Sequence, residues 1–83
     1  MNRDEIWGIP LHRARGFFAG QPDVAEGPEN FVFRSCRITL TRLPDRPMGS
    51  WTLPRTRVVM EGLEEDVAAI HRRFFMAFLS AGG

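Results

Sequence analysis

The chain has 83 residues, among them seven Phe, two Trp and four Met. These large apolar side chains exclude disorder over the whole length, and the length predicts one domain, residues 1–83, whose core only just offsets the entropy of ordering it. Eleven Arg, no Lys and ten acids leave a net charge of +1, which is less basic than a typical nucleic-acid-binding domain.

The cysteine count and the hydropathy indicate the expected cellular compartment and exclude some classes of ligand. A single Cys excludes an internal disulfide, and with two His it forms no metal-ligand pattern. No stretch approaches the ~20 apolar residues of a membrane-spanning helix, and residues 1–5 lack the apolar run of a signal peptide. We therefore expect a cytoplasmic protein with no membrane partner, no metal and no cofactor.

The N-terminal segment has the weakest pattern. A proline suits the first turn of a helix, so Pro10 predicts a short helix from about Leu11 to Phe18. An extended run over Ile6 to Leu11 is the alternative, because the residue before a proline favours the β region. Residues 20–30, with two Pro and one internal Gly among polar residues, are predicted to be a surface loop.

Residues 31–43 are predicted to form a strand. Cys36, Ile38 and Leu40 recur with the period of two of a half-buried strand. Phe31 and Phe33 fall on the opposite parity. Either a bulge near Arg34 and Ser35 exchanges the two faces, or both faces are covered at the start of the strand.

Residues 51–60 are the second predicted strand, after a turn over residues 43–50 that contains two Pro and one Gly. Thr56, Val58 and Met60 share one face of this strand. Pro54 cannot donate a ladder hydrogen bond, so it belongs on an edge strand or at a bulge. Two successive strands joined by a turn predict an antiparallel hairpin, and the N-terminal segment is the candidate for a third strand.

The C-terminal segment has the clearest pattern, a helix over residues 63–80. One face carries apolar residues at helical spacing: Leu63, Val67, Ile70, Phe74, Ala77 and Phe78. Gly62 is the expected N-cap, and acidic residues 64–66 suit the dipole at a helix start. The end is expected at Ser80, Ala81, Gly82 and Gly83. The predicted fold class is α+β: a small antiparallel sheet, with its hairpin at about 31–43 and 51–60, packed by this helix and a short N-terminal element.

A second apolar stripe lies about 100° round the same helix. It contains Ala68, Phe75 and Leu79, and Met76 adds a further apolar side chain. In one interpretation the N-terminal segment, with its Trp and two Phe, folds over this stripe and completes the core. In the other, these four residues contact another protein or a second copy of the chain, because exposed apolar patches mark interaction sites.

The predicted hairpin is the basic part of the molecule. Residues 31–60 hold six Arg against the single acid Asp45, a net charge of +5. A basic ribbon with an aromatic side chain contacts phosphates and stacks a base. The alternative hypothesis is therefore a nucleic-acid-binding module that uses Arg34, Arg37, Arg42, Arg55, Arg57 and Trp51.

The residues that could support catalysis have simpler structural explanations. Cys36 shares the parity of Ile38 and is interpreted as a small buried hydrophobe, although a thiolate pair with His12 or His71 is the sharper interpretation. His71 borders the apolar stripe and is expected to have a hydrogen-bond partner. The acids at 61 and 64–66 sit where the helix dipole favours them. No catalytic residue is assigned, and the chain is not expected to be an enzyme.

These observations favour a small non-catalytic protein-interaction module. Its role would be that of an accessory subunit, adaptor or inhibitor, of bacterial, phage or mobile-element origin, with homodimerisation open. The expected interface residues are Ala68, Phe75, Met76 and Leu79.

Overall fold

The computed structural model of the chain describes residues 1–82 and confirms the α+β class. Its elements, in chain order, are β1 (Asn2–Trp7), α1 (Leu11–Ala19), β2 (Ala25–Glu26), β3 (Phe31–Phe33), β4 (Cys36–Met48), β5 (Trp51–Glu61) and α2 (Glu64–Gly82). The five strands form one sheet in the order β1-β5-β4-β3-β2, and every neighbouring pair is antiparallel. None of the helices in this range is long and apolar enough to cross a membrane.

The core lies between one face of the sheet and the two helices. Alternating side chains of β4 and β5, such as Ile38, Val58 and Met60, point into it, as the period of two predicts. Phe18 of α1 stacks on Phe74 of α2 with ring centroids 5.2 Å apart. The fully buried Thr56 hydroxyl donates to the Ile9 carbonyl at 2.8 Å, so the core leaves this polar group satisfied.

Residues 31–43 are two strands, which corrects the prediction of one. The chain reverses at Arg34 and Ser35, where Arg34 adopts a left-handed φ of 54°. Phe33 therefore pairs with Cys36, and Phe31 pairs with Ile38. The apolar parity changes because the chain turns back, so neither the bulge nor the doubly covered strand is correct.

The hairpin of β4 and β5 is confirmed, but its turn is shorter than predicted. β4 continues to Met48, and the reversal occurs at Gly49, whose φ is 73°, and Ser50. The register shifts between Leu43 and Arg46, opposite Pro54, so Pro54 lies at a bulge, one of the two places expected for it. Beyond this bulge the hairpin extends as an arm past the end of β1, and the molecule measures 42 Å along its longest axis.

The N-terminal segment forms the helix and the third strand that its pattern suggested. Pro10 precedes α1, and β1 pairs with β5 from Asn2 to Trp7. The predicted loop over residues 20–30 contains the short strand β2. Its backbone bonds to β3 at the far edge of the sheet, so this segment is less irregular than its composition indicates.

The predicted C-terminal helix is confirmed, with different ends. α2 begins at Glu64, and the Leu63 carbonyl accepts its first backbone hydrogen bonds, so Gly62 is not the N-cap. Gly62 is instead packed against the turn before β4: an added Cβ would lie 2.7 Å from the Ser35 carbonyl oxygen and 2.8 Å from the Cys36 Cα. At the other end α2 continues through Ser80 and Ala81 to Gly82, past residue 80 but within the expected stop segment, and Gly83 lies outside the described residues.

Candidate protein-interaction site

The two apolar stripes of α2 have different surroundings. Val67, Ile70, Phe74 and Phe78 are buried, with exposed fractions of 6% or less, whereas Leu63 and Ala77 of the same predicted stripe are exposed. The second stripe faces outward: Phe75 is 41% exposed, Met76 60% and Leu79 49%. Ala68 is exposed beside them. We call these four residues, Ala68, Phe75, Met76 and Leu79, the α2 outer face.

The N-terminal segment does not cover the α2 outer face. Phe17 and Phe18 of α1 pack on Phe74 instead, with ring centroids 5.6 and 5.2 Å away. Trp7 contacts Phe75 edge to face, with ring centroids 6.0 Å apart. It leaves the rest of the α2 outer face exposed. The interpretation in which the second stripe completes the core is therefore wrong for the isolated chain.

A polar cluster joins α2 to β1 next to the α2 outer face. Glu5 Oε1 lies 2.8 Å from His71 Nε2 and accepts a hydrogen bond from Trp7 Nε1 at 3.1 Å. Partial burial raises the pKa of Glu5, but the hydrogen bonds from His71 and Trp7 outweigh it and leave the pKa below its ordinary value. His71 therefore has a hydrogen-bond partner, Glu5, as its position at the border of the apolar stripe predicted.

The outer edge of β1 is open. β1 is the terminal strand of the sheet, so only its inner edge is paired, with β5. Met1 and Gly62 exchange backbone hydrogen bonds at 2.7 and 3.1 Å. Because such exchanges alternate along an antiparallel ladder, the N–H and C=O groups of residues 3, 5 and 7 point to β5, and those of Asn2, Asp4 and Ile6 point out of the sheet.

Sequence reasoning missed this edge. The segment carries Arg3, Asp4 and Glu5 in succession, which lowers its strand propensity and hides the alternation. The bias towards extended backbone before Pro10 suggested a run over Ile6 to Leu11, but the strand lies earlier, at Asn2–Trp7, and Leu11 begins α1.

The arginines of the nucleic-acid hypothesis lie at several points of the sheet, and three of them share one face, because Arg37, Arg55 and Arg57 have the same parity in the register of β4 and β5. Arg34 sits at the β3–β4 turn, 3.7 Å from Asp66. Arg57 pairs with Asp4, and Arg42 lies 3.8 Å from Asp45. Arg55 Nε donates to the Pro44 carbonyl, Arg37 is exposed on β4, and Trp51 is at the end of the arm, 56% exposed.

The structure gives the remaining candidates for chemistry, Cys36 and Asp66, structural roles. Cys36 is fully buried, and burial raises the pKa of its thiol, which makes a nucleophilic thiolate less accessible. Asp66 Oδ2 accepts hydrogen bonds from the Ser35 hydroxyl at 2.6 Å and the Ser35 N–H at 3.3 Å. Within residues 1–82, no group of three or more His, Cys, Asp or Glu side chains is placed to hold a metal ion.

Together these features define a small α+β domain with both helices on one face of an antiparallel sheet and an apolar helix face beside an open strand edge. A family model described as archaeal MoaD-like protein matches residues 2–83, almost the whole chain, and the chain belongs to this family. Comparisons with curated proteins and with solved structures gave no significant match.

Proposed function

We propose that the chain is a non-catalytic protein-binding module of the archaeal MoaD-like family. The contact surface is the α2 outer face. The observation that carries this proposal is the exposure of Phe75, Met76 and Leu79 on the α2 outer face, each at 41% or more.

The size of the chain gives this exposure its significance. A domain of this length has few large apolar side chains to spare from its core. Three of them nevertheless remain in contact with water on α2, while Phe17 and Phe18 fill the space between the helices. Aromatic and Met side chains are also enriched at the centres of protein interfaces, so the composition of the α2 outer face suits a partner polypeptide.

The four side chains alone are too small for a stable interface. Such interfaces bury about 800 Å² on each partner and involve about 20–30 residues a side. A partner must therefore extend to neighbouring surface, and the open edge of β1 lies next to Phe75 through its contact with Trp7. Backbone groups at that edge offer hydrogen bonds to an extended segment.

Site-specific photo-crosslinking tests the proposal. A photoreactive residue replaces Phe75 or Leu79 in the full chain, expressed in its native host, and the matched control replaces Thr41, which lies on the exposed face of β4. We expect a discrete protein adduct from positions 75 and 79 and none from position 41. Equal labelling from both faces, or no adduct from α2, would contradict the proposal.

The nucleic-acid-binding alternative predicts a different result. Retention on heparin at low salt, lost steeply as salt rises, is typical of phosphate contacts by arginine. Because Arg34, Arg42 and Arg57 already lie near acids, we expect elution before physiological ionic strength. Retention beyond it, abolished by Arg37→Glu together with Arg55→Glu, would favour the alternative.

A further inference from the structure

We propose that the partner at this surface is a second copy of the chain, joined edge to edge through β1 so that the two sheets become one ten-stranded antiparallel sheet. This inference rests on the proposed function, because it names the occupant of the α2 outer face. Three observations carry it: the direction of the free backbone groups, the order of charges along β1, and the position of α2 above the edge.

The backbone directions determine how two copies of β1 can meet. The free groups belong to residues 2, 4 and 6, so only even-numbered residues can bond across the seam. Two antiparallel copies of β1 therefore place even-numbered residues of one copy opposite even-numbered residues of the other. Directly opposed residues of an antiparallel pair project to the same face, so the helices of both copies must lie on the same side of the joint sheet.

Among the registers that satisfy this rule, the one centred on Asp4 fits best. It opposes Asn2 with Ile6 of the second copy, and Asp4 with its own equivalent, which uses all the free groups of residues 2, 4 and 6. It also opposes Arg3 with Glu5 of the second copy, twice. Registers centred on Arg3 or Glu5 lose both Arg3–Glu5 pairs and leave free groups unpaired, which disfavours them.

The side chains at the seam suit this register. The Arg3 side chain is 36% exposed, and its guanidinium reaches Glu5 of its own strand only at 4.0 Å, so it is accessible to a second copy. Glu5 Oε1 is occupied by His71 and Trp7, whereas Oε2 has only the 4.0 Å contact with Arg3 among the described residues. At the centre each Asp4 carboxylate is already paired with Arg57 of its own chain, so the two acids meet as neutralised pairs.

The helix position completes the interface. α2 lies over β1 and β5. Strands are about 4.8 Å apart, so a helix centred above this pair sits about 5 Å from the seam. The second copy then brings its α2 to about 10 Å, the distance at which helices pack. The two helices run antiparallel, which places Phe75 of one copy near the shallow hollow of the other that is lined by Leu63, Glu64, Glu65 and Ala68.

A charge-reversal pair tests the register directly. Arg3→Glu alone places the introduced glutamate of each copy opposite Glu5 of the other, so that acid faces acid at two positions across the seam. Glu5→Arg alone places arginine opposite arginine at the same two positions. We expect sedimentation of the wild type to show a dimer at micromolar concentration and each variant to weaken it by about tenfold or more. An equimolar mixture of the two variants opposes acid with arginine, so we expect the dimer to return on mixing. Effects inside one chain are not reversed by mixing.

A second variant tests the seam without touching its side-chain contacts. Ile6 is 60% exposed and its N–H points out of the sheet. Ile6→Pro therefore removes only a bond across the seam, because proline is tolerated where the strand N–H faces solvent. We expect a folded monomer with an unchanged circular dichroism spectrum.

The outcomes separate this inference from the proposed function. A monomeric wild type that crosslinks a different polypeptide through position 75 would overturn the dimer and leave the protein-binding function intact. A dimer that survives Ile6→Pro, or variants that stay monomeric when mixed, would overturn the β1 seam. A monomer without α2 adducts would end both.

Discussion

At the scale of single residues, two glycines with opposite surroundings give matched tests of packing. A Cβ added to Gly62 would lie 2.7 Å from the Ser35 carbonyl oxygen, whereas one added to Gly16 in α1 would meet nothing within 4 Å in the described part of the chain. We expect Gly62→Ala to reduce the free energy of unfolding by about 1–3 kcal/mol, since backbone cannot yield easily. Gly16→Ala should raise it by about 0.5–1 kcal/mol through helix propensity. Urea titration measures both, and equal effects would contradict the packing of Gly62.

Asp66 gives the fold a dependence on pH. Hydrogen bonds from Ser35 chiefly, opposed by burial and aided by Arg34, hold the pKa of Asp66 below its ordinary value of 3.8. The unfolded chain therefore binds this proton more readily, so the contribution of Asp66 is present above about pH 4 and is lost as pH falls through the lowered pKa. We expect Asp66→Asn to be less stable at neutral pH and to lose less stability between pH 5 and 3 than the wild type. Parallel stability curves for the two proteins would contradict this assignment.

At the scale of elements, the sequence pattern predicts an element whose apolar spacing repeats over many residues. It misses a chain reversal that depends on the backbone conformation of one residue. α2 and its two stripes follow from spacing alone, because five helical turns of consistent pattern outweigh local ambiguity. The β3–β4 reversal rests on the left-handed Arg34, a residue type with no special preference for that conformation. The open edge of β1 depends on which strand is its neighbour, and charges at residues 3–5 conceal its strand character.

Adjacent phenylalanines of α2 test whether its two faces have different roles. Phe74 is fully buried and Phe75 is 41% exposed. We expect Phe74→Ala to cost about 3–5 kcal/mol because it leaves a cavity among aromatic rings. Phe75→Glu should cost less than about 1 kcal/mol, mainly through lost contact with Trp7. Urea unfolding at low protein concentration compares them, and a variant of Phe75 that unfolds would place the second stripe in the core.

At the scale of the whole molecule, the sheet is covered by helices on one side only. A two-layer domain of 83 residues buries a modest fraction of its surface, and its edge strand is a site where another chain can add. The charges of β1 oppose indiscriminate pairing, because a strand that offers Arg3 and Glu5 accepts only a complementary neighbour. In the proposed dimer, the same residues favour the register centred on Asp4.

If the native state is the dimer joined through β1, its thermal stability depends on concentration. Association stabilises the folded form by mass action, so a tenfold increase in protein should raise Tm by about 3–5 °C for a chain of this size. Differential scanning calorimetry of the wild type over a hundredfold range measures the slope. Ile6→Pro is the control, since a folded monomer has a Tm independent of concentration. A wild type whose Tm does not move over that range, while Ile6→Pro matches it, would show that folding is complete within one chain.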